Sequence, residues 1–130
     1  MLNLRTGLDL LEIGRLERLN PAIRQRFLRR VFTAAELAEV GESQASLGGW
    51  LAAKEAVAKA LGCGIGTVGW KEIELRCDPL GAPCLTLHGK AKRLAQDLGL
   101  VTWSISISHT ASHAAAVAVA IGRIEENKLE

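Results

Sequence analysis

The chain has 130 residues, and 48% of them are hydrophobic, which is enough for one domain with its own apolar core. Sixteen lysines and arginines against 14 aspartates and glutamates leave a net charge of +2, so the overall charge indicates no particular partner. No basic stretch precedes an apolar run and a cleavage site, and no apolar run is long enough to span a bilayer. We therefore expect a single domain over residues 1–130 that lies in the cytoplasm and binds no membrane.

The first 40 residues predict one strand and two helices. The segment LRTGLDLLEIG alternates enough to be a strand that leads into a turn, with Asp9 among leucines near its end. Asn20 followed by Pro21 predicts the start of a helix over NPAIRQRFLRRVF, because the asparagine can cap it and the proline suits its first position. Thr33 and Glu36 have the spacing of a capping box and predict another short helix.

The rest of the chain predicts a long helix and then four strands. GESQASLGG is predicted as a loop, and a long helix follows from about Leu47 to Leu61, ending at Gly62. KEIELRC and PCLTLHG predict strands joined by the turn DPLGA, and GKAKRLAQDLG predicts an amphipathic helix. TWSISIS and HAAAVAVAI predict two more strands joined by HTAS. The fold class is therefore α+β, with a mostly antiparallel sheet and one long central helix.

The three cysteines, Cys63, Cys77 and Cys84, lack the paired close spacing of a zinc site or a redox motif. Free cysteines in a reducing compartment behave as small hydrophobic side chains. We therefore predict that all three are reduced thiols packed in the protein.

Two charged residues stand in the middle of the long, alanine-rich helix. Glu55 and Lys59 have the i,i+4 spacing and the orientation of a helix salt bridge, and that is the simplest interpretation. The surrounding alanines leave the helix thin, so that a ligand could approach its backbone closely, and a glycine-rich exit follows. The alternative interpretation is that the pair lines a pocket.

Asp9 adds a second carboxylate to this hypothesis. It is either an exposed residue at the end of a strand or, together with Glu55, a hard oxygen ligand. Mg²⁺ is typically held by one or two carboxylates plus the phosphates of a substrate, and Lys59 would then neutralise phosphate charge. The GCGIG segment is not a phosphate loop, because it follows a helix instead of opening one.

Two further polar groups have a functional and an ordinary interpretation. Ser108, His109 and Thr110 end a predicted strand and would either contact a phosphate or nucleotide or simply close a hairpin in solvent. Six arginines crowd residues 15–30, and they form either a solvated basic face or a surface for an acidic partner. Because no nucleic-acid motif accompanies them, we favour an acidic protein over nucleic acid.

Five segments resemble the holo-[acyl-carrier-protein] synthase family, the short, single-repeat 4′-phosphopantetheinyl transferases. They occur in the order GLDLLEIGRL, RVFTAAEL, LAAKEAVAKALGCGIG, PLGAPCLTL and SISISHTASHAAAVAVA, and they cover nearly the whole chain. The G-x-D, A-A-K-E-A-x-x-K-A and S-H-T blocks are specific in combination. The resemblance implies the family's α+β fold, an antiparallel sheet packed on a long central helix, in a homotrimer with active sites at subunit interfaces.

The resemblance also implies a reaction, in which 4′-phosphopantetheine passes from coenzyme A to a serine of an apo acyl carrier protein and adenosine 3′,5′-bisphosphate is released. Asp9 and Glu55 match the family's Mg²⁺ ligands, and Lys59 matches the lysine near the transferring diphosphate. The implied catalytic residues are Glu55, Lys59 and His109. The serine proton would pass to a metal-bound water near Glu55, which we favour, or to His109.

The remaining matches concern binding of the two substrates. Ser108, His109 and Thr110 match the strand end near the nucleotide of coenzyme A, and Gly81 and Pro83 match the turn beside the adenine.

The carrier protein would be met by a helix whose matching residues are Arg15, Arg26 and Phe27, opposite the acidic recognition helix of the carrier. The carrier could serve fatty acid synthesis, polyketide synthesis or another pathway.

Three departures from the family pattern remove positive charge where the phosphates of coenzyme A are expected. Trp50 replaces a basic residue, Ala82 replaces the lysine of a glycine–lysine–proline turn, and residues 39–49 contain no lysine or arginine. Two other hypotheses therefore stand beside the active transferase. One is a carrier-protein-binding module with weak or lost catalysis, and the other, ranked far behind, is a nucleic-acid-binding domain.

Overall fold

The computed structural model describes residues 1–41 and 43–125. It contains five strands, five α-helices and one short 3₁₀ helix. The strands are β1 (Leu2–Glu12), β2 (Ile73–Cys77), β3 (Pro83–Leu87), β4 (Leu100–His109) and β5 (His113–Arg123). The helices are α1 (Gly14–Glu17), α2 (Pro21–Val31), α3 (Ala34–Val40), α4 (Gln44–Ala60) and α5 (Gly89–Asp97), with the 3₁₀ helix at Trp70–Glu72.

The strands form two antiparallel sheets. Strand β5 is paired with β1 on one side and β4 on the other, and β2 pairs with β3 in a separate hairpin. The predicted α+β class and the antiparallel pairing are confirmed, but the expectation of one sheet is wrong. The short β2–β3 hairpin shares no backbone ladder with the larger sheet among the described residues, and its side chains reach that sheet through β4 instead.

The predicted starts of α2 and α3 are confirmed by their caps. The Asn20 side chain accepts a hydrogen bond from Ala22 N at 2.9 Å, and Pro21 is the first helical residue. Thr33 Oγ1 accepts from Glu36 N at 3.1 Å, while Glu36 Oε1 accepts from Thr33 N at 2.8 Å. These local hydrogen bonds satisfy donors that a helix start leaves free, so they can be recognised from a few adjacent residues.

Helix α4 begins earlier than predicted, at Gln44, so the predicted loop over GESQASLGG is wrong for its last six residues. Ser43 caps the helix by accepting from Ser46 N at 3.2 Å. Gly48 and Gly49, where the predicted loop and the predicted helix overlap, face the sheet, and a methyl group on Gly49 would lie only 2.7 Å from Ile107. Close packing on the sheet outweighs the low helix propensity of glycine here.

Helix α4 lies across β1 and β5 and also contacts β4. Its small side chains allow this close approach, and Trp50, the largest residue near its start, is buried in the core. The predicted packing of the cysteines is only partly right. Cys63 is half-buried, but Cys77 and Cys84 lie exposed on the β2–β3 hairpin, because a two-stranded hairpin covers only part of each side chain. No helix in the described part of the chain is long and apolar enough to cross a membrane.

A buried ion pair joins α4 to its surroundings, and the sequence reasoning missed it. Lys54 Nζ donates to Glu36 Oε1 at 2.8 Å and to the carbonyl oxygens of Trp70 and Ile73 at 3.1 and 2.8 Å. The ammonium group also lies 5.2 Å from the centroid of the Phe32 ring. Burial lowers the pKa of Lys54, and the Glu36 carboxylate opposes that shift.

Candidate active site

Three of the predicted site residues meet where α4 crosses β1. Lys59 Nζ donates to Asp9 Oδ1 at 3.1 Å and to the carbonyl oxygen of Leu8 at 2.9 Å. Glu55 lies one helical turn before Lys59, but the ion pair that forms is the one between Lys59 and Asp9. The helix salt bridge between Glu55 and Lys59, which was the simplest interpretation of their spacing, is therefore not the arrangement in the structure.

Lys59 links the two carboxylates, because it binds Asp9 and stands one helical turn after Glu55. Burial raises the pKa of Glu55 above its ordinary value, the negative charge of Asp9 raises it further, and the Lys59 ammonium opposes both effects. Two carboxylates that repel each other beside a single lysine form a site that would be stabilised by added positive charge. We call Asp9, Glu55 and Lys59 the carboxylate–lysine cluster.

Two carboxylate groups fit a hard divalent cation such as Mg²⁺ only if other oxygen ligands complete the coordination. Among the residues that the structure describes, no group of three or more histidine, cysteine, aspartate or glutamate side chains could hold a metal. The donor chemistry of Asp9 and Glu55 would therefore suit only an ion whose remaining ligands are water and the phosphates of a substrate.

Gly7 explains why the cluster can form. A side chain at this position would overlap the carbonyl oxygen of Ala56 and lie 2.8 Å from Ala60 N, so only glycine lets α4 approach β1 this closely. Side chains alternate along a strand, so Asp9, two residues later, lies on the same face of β1 as Gly7. In the G-x-D pattern the glycine therefore admits the helix, and the aspartate meets the residues that the helix carries.

The glycine-rich exit of α4 has the role predicted for it at the helix end. Gly62, Gly64 and Gly66 have φ angles of +80°, +76° and +116°, which other residues rarely adopt. The amides of Cys63 and Gly64 both donate to the carbonyl oxygen of Ala58, at 3.3 and 3.2 Å. These bonds close the helix and turn the chain away from it.

His109 is placed away from the carboxylate–lysine cluster of its own chain. It is exposed and lines a depression of about 380 Å³ with Gln44 and Ala45, at the start of α4. Glu55 lies eleven residues after Gln44, which at 1.5 Å per residue is about 16 Å along the helix axis. Within one chain, therefore, the structure brings Asp9, Glu55 and Lys59 together but does not bring His109 to them.

The neighbours of His109 have distinct environments. The hydroxyl oxygen of Thr110 accepts from the amides of Ser112 and His113 at 3.2 and 3.1 Å, so it closes the β4–β5 hairpin. Ser108 is exposed and stands opposite Ala115 in the sheet. In the depression beside His109, the side-chain oxygen of Gln44 is buried and has no hydrogen-bond partner among the described residues.

The other predicted residues lie on separate surfaces. Gly81, with a φ of +88°, shapes the β2–β3 turn, and Pro83 is the first residue of β3. Arg15 on α1 and Arg26 on α2 are exposed, whereas Phe27 is half-buried and packs against the core. The expectation that one helix carries Arg15, Arg26 and Phe27 is therefore wrong, because Arg15 lies on a separate short helix and only Arg26 shares its helix with Phe27.

The signal for the missed pair, Lys54 and Glu36, was present in the sequence. Lys54 has alanines at positions 52, 53, 56 and 58 around it, which indicates a buried helix face, and Glu36 was assigned only to its capping box. Glu36 in fact serves three partners, since its Oε2 also accepts from Leu75 N at 2.9 Å. A charged residue on an otherwise apolar helix face needs a buried partner, and that partner lies 18 residues away.

Comparison with known proteins gives a consistent assignment. The family model of the 4′-phosphopantetheinyl transferase superfamily matches residues 5–118. Holo-[acyl-carrier-protein] synthase of Herpetosiphon aurantiacus is 44% identical over 124 residues, covering 90% of this chain and 98% of the relative. The corresponding enzyme of Moorella thermoacetica is 45% identical over 121 residues, covering 89% and 92%.

The fold agrees with a solved structure of the same group. The crystal structure of Helicobacter pylori holo-[acyl-carrier-protein] synthase in complex with coenzyme A matches with a TM-score of 0.80 and 33% identity, over 88% of this chain and 98% of that one. The chain therefore belongs to the 4′-phosphopantetheinyl transferase superfamily and, within it, is an enzyme of the holo-[acyl-carrier-protein] synthase family.

Proposed function

We propose that this enzyme transfers 4′-phosphopantetheine from coenzyme A to a serine of an apo acyl carrier protein, with Mg²⁺ as cofactor, and releases adenosine 3′,5′-bisphosphate. The observation that carries the proposal is the carboxylate–lysine cluster, in which Lys59 binds Asp9 and stands one helical turn after Glu55. Phosphoryl transfer requires positioning and neutralisation of charge more than covalent work by the protein.

Asp9 and Glu55 would hold Mg²⁺, which when bound neutralises charge on the diphosphate and makes the phosphorus more electrophilic. Lys59 would move its ammonium group from Asp9 to a phosphate oxygen. Its side chain is 50% exposed, so this movement needs no unfolding of the helix. Positive charge at that place stabilises the negative charge that develops on the departing nucleotide.

The bond changes follow from this arrangement. The carrier serine oxygen forms a bond to the β-phosphorus of coenzyme A, and the bond from that phosphorus to the bridging oxygen of the leaving nucleotide breaks. The serine proton would pass to a water held near Glu55, which would release it to solvent. His109 is the alternative acceptor, and it would have to come from another subunit.

A trimer with shared active sites is the proposed assembly, and three observations support it. His109 and the carboxylate–lysine cluster lie at different places on one chain, and Gln44 has a buried oxygen that lacks a partner among the described residues. On β1 and β5, the face of the sheet that points away from α4 exposes large apolar side chains. Its residues are Leu2, Leu4, Leu8, Leu10, Val117 and Ile121.

Sedimentation of the purified protein tests the assembly. We expect a trimer for the wild type, and a monomer with reduced transfer for Leu8→Glu, because a charge would be buried at the subunit contact. Leu80→Glu, in the exposed β2–β3 turn, is the matched control and should remain trimeric. A wild type that sediments as a monomer and still transfers at full rate would contradict shared sites.

The carrier protein would bind at α1 and α2, where Arg15 and Arg26 are exposed beside the anchored Phe27. A basic surface of this kind attracts an acidic helix and accelerates association. The phosphates of coenzyme A would contact Ser108, His109 and Thr110, and Gly81 and Pro83 would form the turn beside its adenine. We place the enzyme in the cytoplasm, as a single domain.

A second candidate function is supported by the positions that lack basic residues. Trp50 is buried in the core, so no charge can be presented from it, and Ala82 is exposed but neutral. If these changes weaken binding of coenzyme A strongly, the protein would act as a carrier-protein-binding module. In that case carrier binding would persist without transfer.

Intact mass spectrometry of an apo acyl carrier protein, incubated with enzyme, coenzyme A and Mg²⁺, tests the proposal directly. We expect a mass gain of one phosphopantetheine arm, and no gain when the metal is chelated. Carrier binding by titration without a mass gain would favour the binding module. Loss of transfer in Asp9→Ala and Glu55→Ala with an unchanged fold is also expected, and full activity in either variant would contradict the metal assignment.

A further inference from the structure

The end of α4 contains a contact that the proposed function does not use. Arg5 Nε donates to the carbonyl oxygen of Ala60 at 2.9 Å, so a side chain of β1 binds the backbone of the last helical residue. The guanidinium lies over Gly62, where any side chain would overlap it. Arg5 is half-buried, and it stands on the same face of β1 as Gly7 and Asp9.

The hydrogen bonds at the end of α4 show what this contact contributes. A helix leaves its last four carbonyl oxygens without helical partners. Here the carbonyl oxygens of residues 57, 58 and 59 accept from backbone amides of residues 61–64. The fourth, on Ala60, is bound by Arg5 from the neighbouring strand. A positive group at this end also interacts favourably with the helix dipole.

Two side chains therefore tie the final turn of α4 to β1, one donated by the helix and the other by the strand. Lys59 donates from the helix to Leu8 and Asp9, and Arg5 donates from the strand to Ala60. If Lys59 leaves Asp9 to bind a phosphate, the helix loses the contact that Lys59 makes to β1. The loss coincides with the step in which the position of the Lys59 ammonium group affects the reaction. The contact made by Arg5 does not depend on Lys59, so it persists.

We propose that Arg5 is a positioning residue, which holds the final turn of α4 on β1 and so keeps Lys59 in place when its ammonium group binds the diphosphate. The catalytic part of this inference rests on the proposed function, whereas the part about the helix end does not. In this role Arg5 acts through the backbone that carries Lys59, by its hydrogen bond to Ala60.

The test compares Arg5→Met, which keeps most of the side-chain stem but removes donor and charge, with Arg5→Lys, which restores a charged donor. Arg93→Met is the matched control, because Arg93 is exposed on α5 and lies outside this contact. Hydrogen exchange of the amides of Cys63 and Gly64 reports the helix end. We expect it to become roughly tenfold faster in Arg5→Met, unchanged in the control, and largely restored in Arg5→Lys.

The kinetic arm uses a double-mutant cycle with Lys59→Met. Arg5→Met should lower kcat/KM about five- to tenfold in the wild-type background, with a smaller effect of less than about twofold once Lys59 is absent. A merely structural residue would lower activity equally in both backgrounds, and that additive result would overturn the proposal. Exchange no faster than in Arg93→Met would also overturn it.

The two levels of failure are distinguishable. If the wild type transfers nothing, the proposed function is wrong, and the exchange measurement alone decides whether Arg5 holds the helix end. Faster exchange at Cys63 and Gly64 would then support the structural part, and unchanged exchange would overturn it.

Discussion

Helix α4 carries two lysine–carboxylate pairs that differ in almost every respect except their chemistry. Lys54 binds Glu36 at 2.8 Å, and both side chains are 0% exposed. Lys59 binds Asp9 at 3.1 Å, and the two side chains are 50% and 18% exposed. They stand five residues apart on one helix, so their difference arises from what faces each of them.

The buried pair is closed to a ligand, because neither side chain is exposed and all three ammonium N–H groups are bound. Lys54 uses its three N–H bonds on Glu36, Trp70 and Ile73, and Glu36 accepts from two backbone amides as well. The exposed pair can still accept positive charge, because Asp9 raises the pKa of a second carboxylate, Glu55. A saturated buried pair stabilises one structure, whereas an unsaturated exposed pair can exchange partners with a substrate.

The largest expected effect comes from breaking the buried pair. Lys54→Ala would leave the Glu36 carboxylate buried and uncompensated, and removal of one partner of such a pair lowers the free energy of unfolding by about 3–5 kcal/mol. Urea unfolding measures the change. Lys59→Ala, in the same helix, is the matched control and should lose less than about 1 kcal/mol. Similar losses in both variants would remove the distinction between the two pairs.

Activity should show the opposite order. Lys59→Ala removes the positive charge offered to the diphosphate, and loss of one such group lowers the transfer rate by about 10²-fold. Steady-state transfer to an apo carrier protein measures it, with Lys92→Ala on the exposed face of α5 as control. Transfer by Lys59→Ala at more than about a third of the wild-type rate would show that the exposed pair has no catalytic role.

The next effect tests how closely α4 approaches β1, and it leaves the residues of both lysine–carboxylate pairs unchanged. Gly7→Ala places a methyl group against the Ala56 carbonyl, and because the neighbouring atoms are backbone, we expect a loss of about 2 kcal/mol in unfolding free energy. Transfer should fall as well, since Asp9 would move relative to Glu55. Gly14→Ala, which meets only the flexible ends of the Arg18 and Glu12 side chains, should change stability by less than about 0.5 kcal/mol. Equal stabilities of the two variants would contradict the close contact.

The smallest effect on stability is expected at Glu72, where backbone hydrogen bonds hold a carboxylate that is not deeply buried. Glu72, like Glu36, accepts from backbone amides, those of Gly69 and Lys90, but it lies near the surface. These bonds hold the pKa of Glu72 below its ordinary value of 4.5. Glu72→Gln should therefore cost only about 0.5–1 kcal/mol at pH 7, because solvent screens the charge.

The pH dependence of that difference has a definite sign. A carboxylate with a lowered folded-state pKa contributes stability that is fully present above the unfolded value and is lost as the pH falls through the folded value. The advantage of the wild type over Glu72→Gln should thus be constant above about pH 6 and shrink below about pH 4.5. An advantage that grows on acidification would show that Glu72 is bound in its protonated form.

The amino-acid sequence by itself determined the elements whose signals are local. The caps at Asn20 and Thr33 were predicted from adjacent residues, and so were the glycine exit of α4 and the β4–β5 hairpin. Each depends on hydrogen bonds between residues close in the chain, so its chemistry is visible in a short window. The motif blocks likewise named the carboxylate–lysine cluster and the family.

Tertiary structure alone decided which lysine of KEAVAK is buried and which is exposed, and that Lys59 pairs with Asp9 instead of Glu55. It also decided that α4 begins as early as Gln44, and that His109 lies away from the cluster. Each of these outcomes depends on residues from distant parts of the chain that pack against α4. Contacts of that kind have no local pattern, because their energy comes from burial and from partners that only the completed fold brings near.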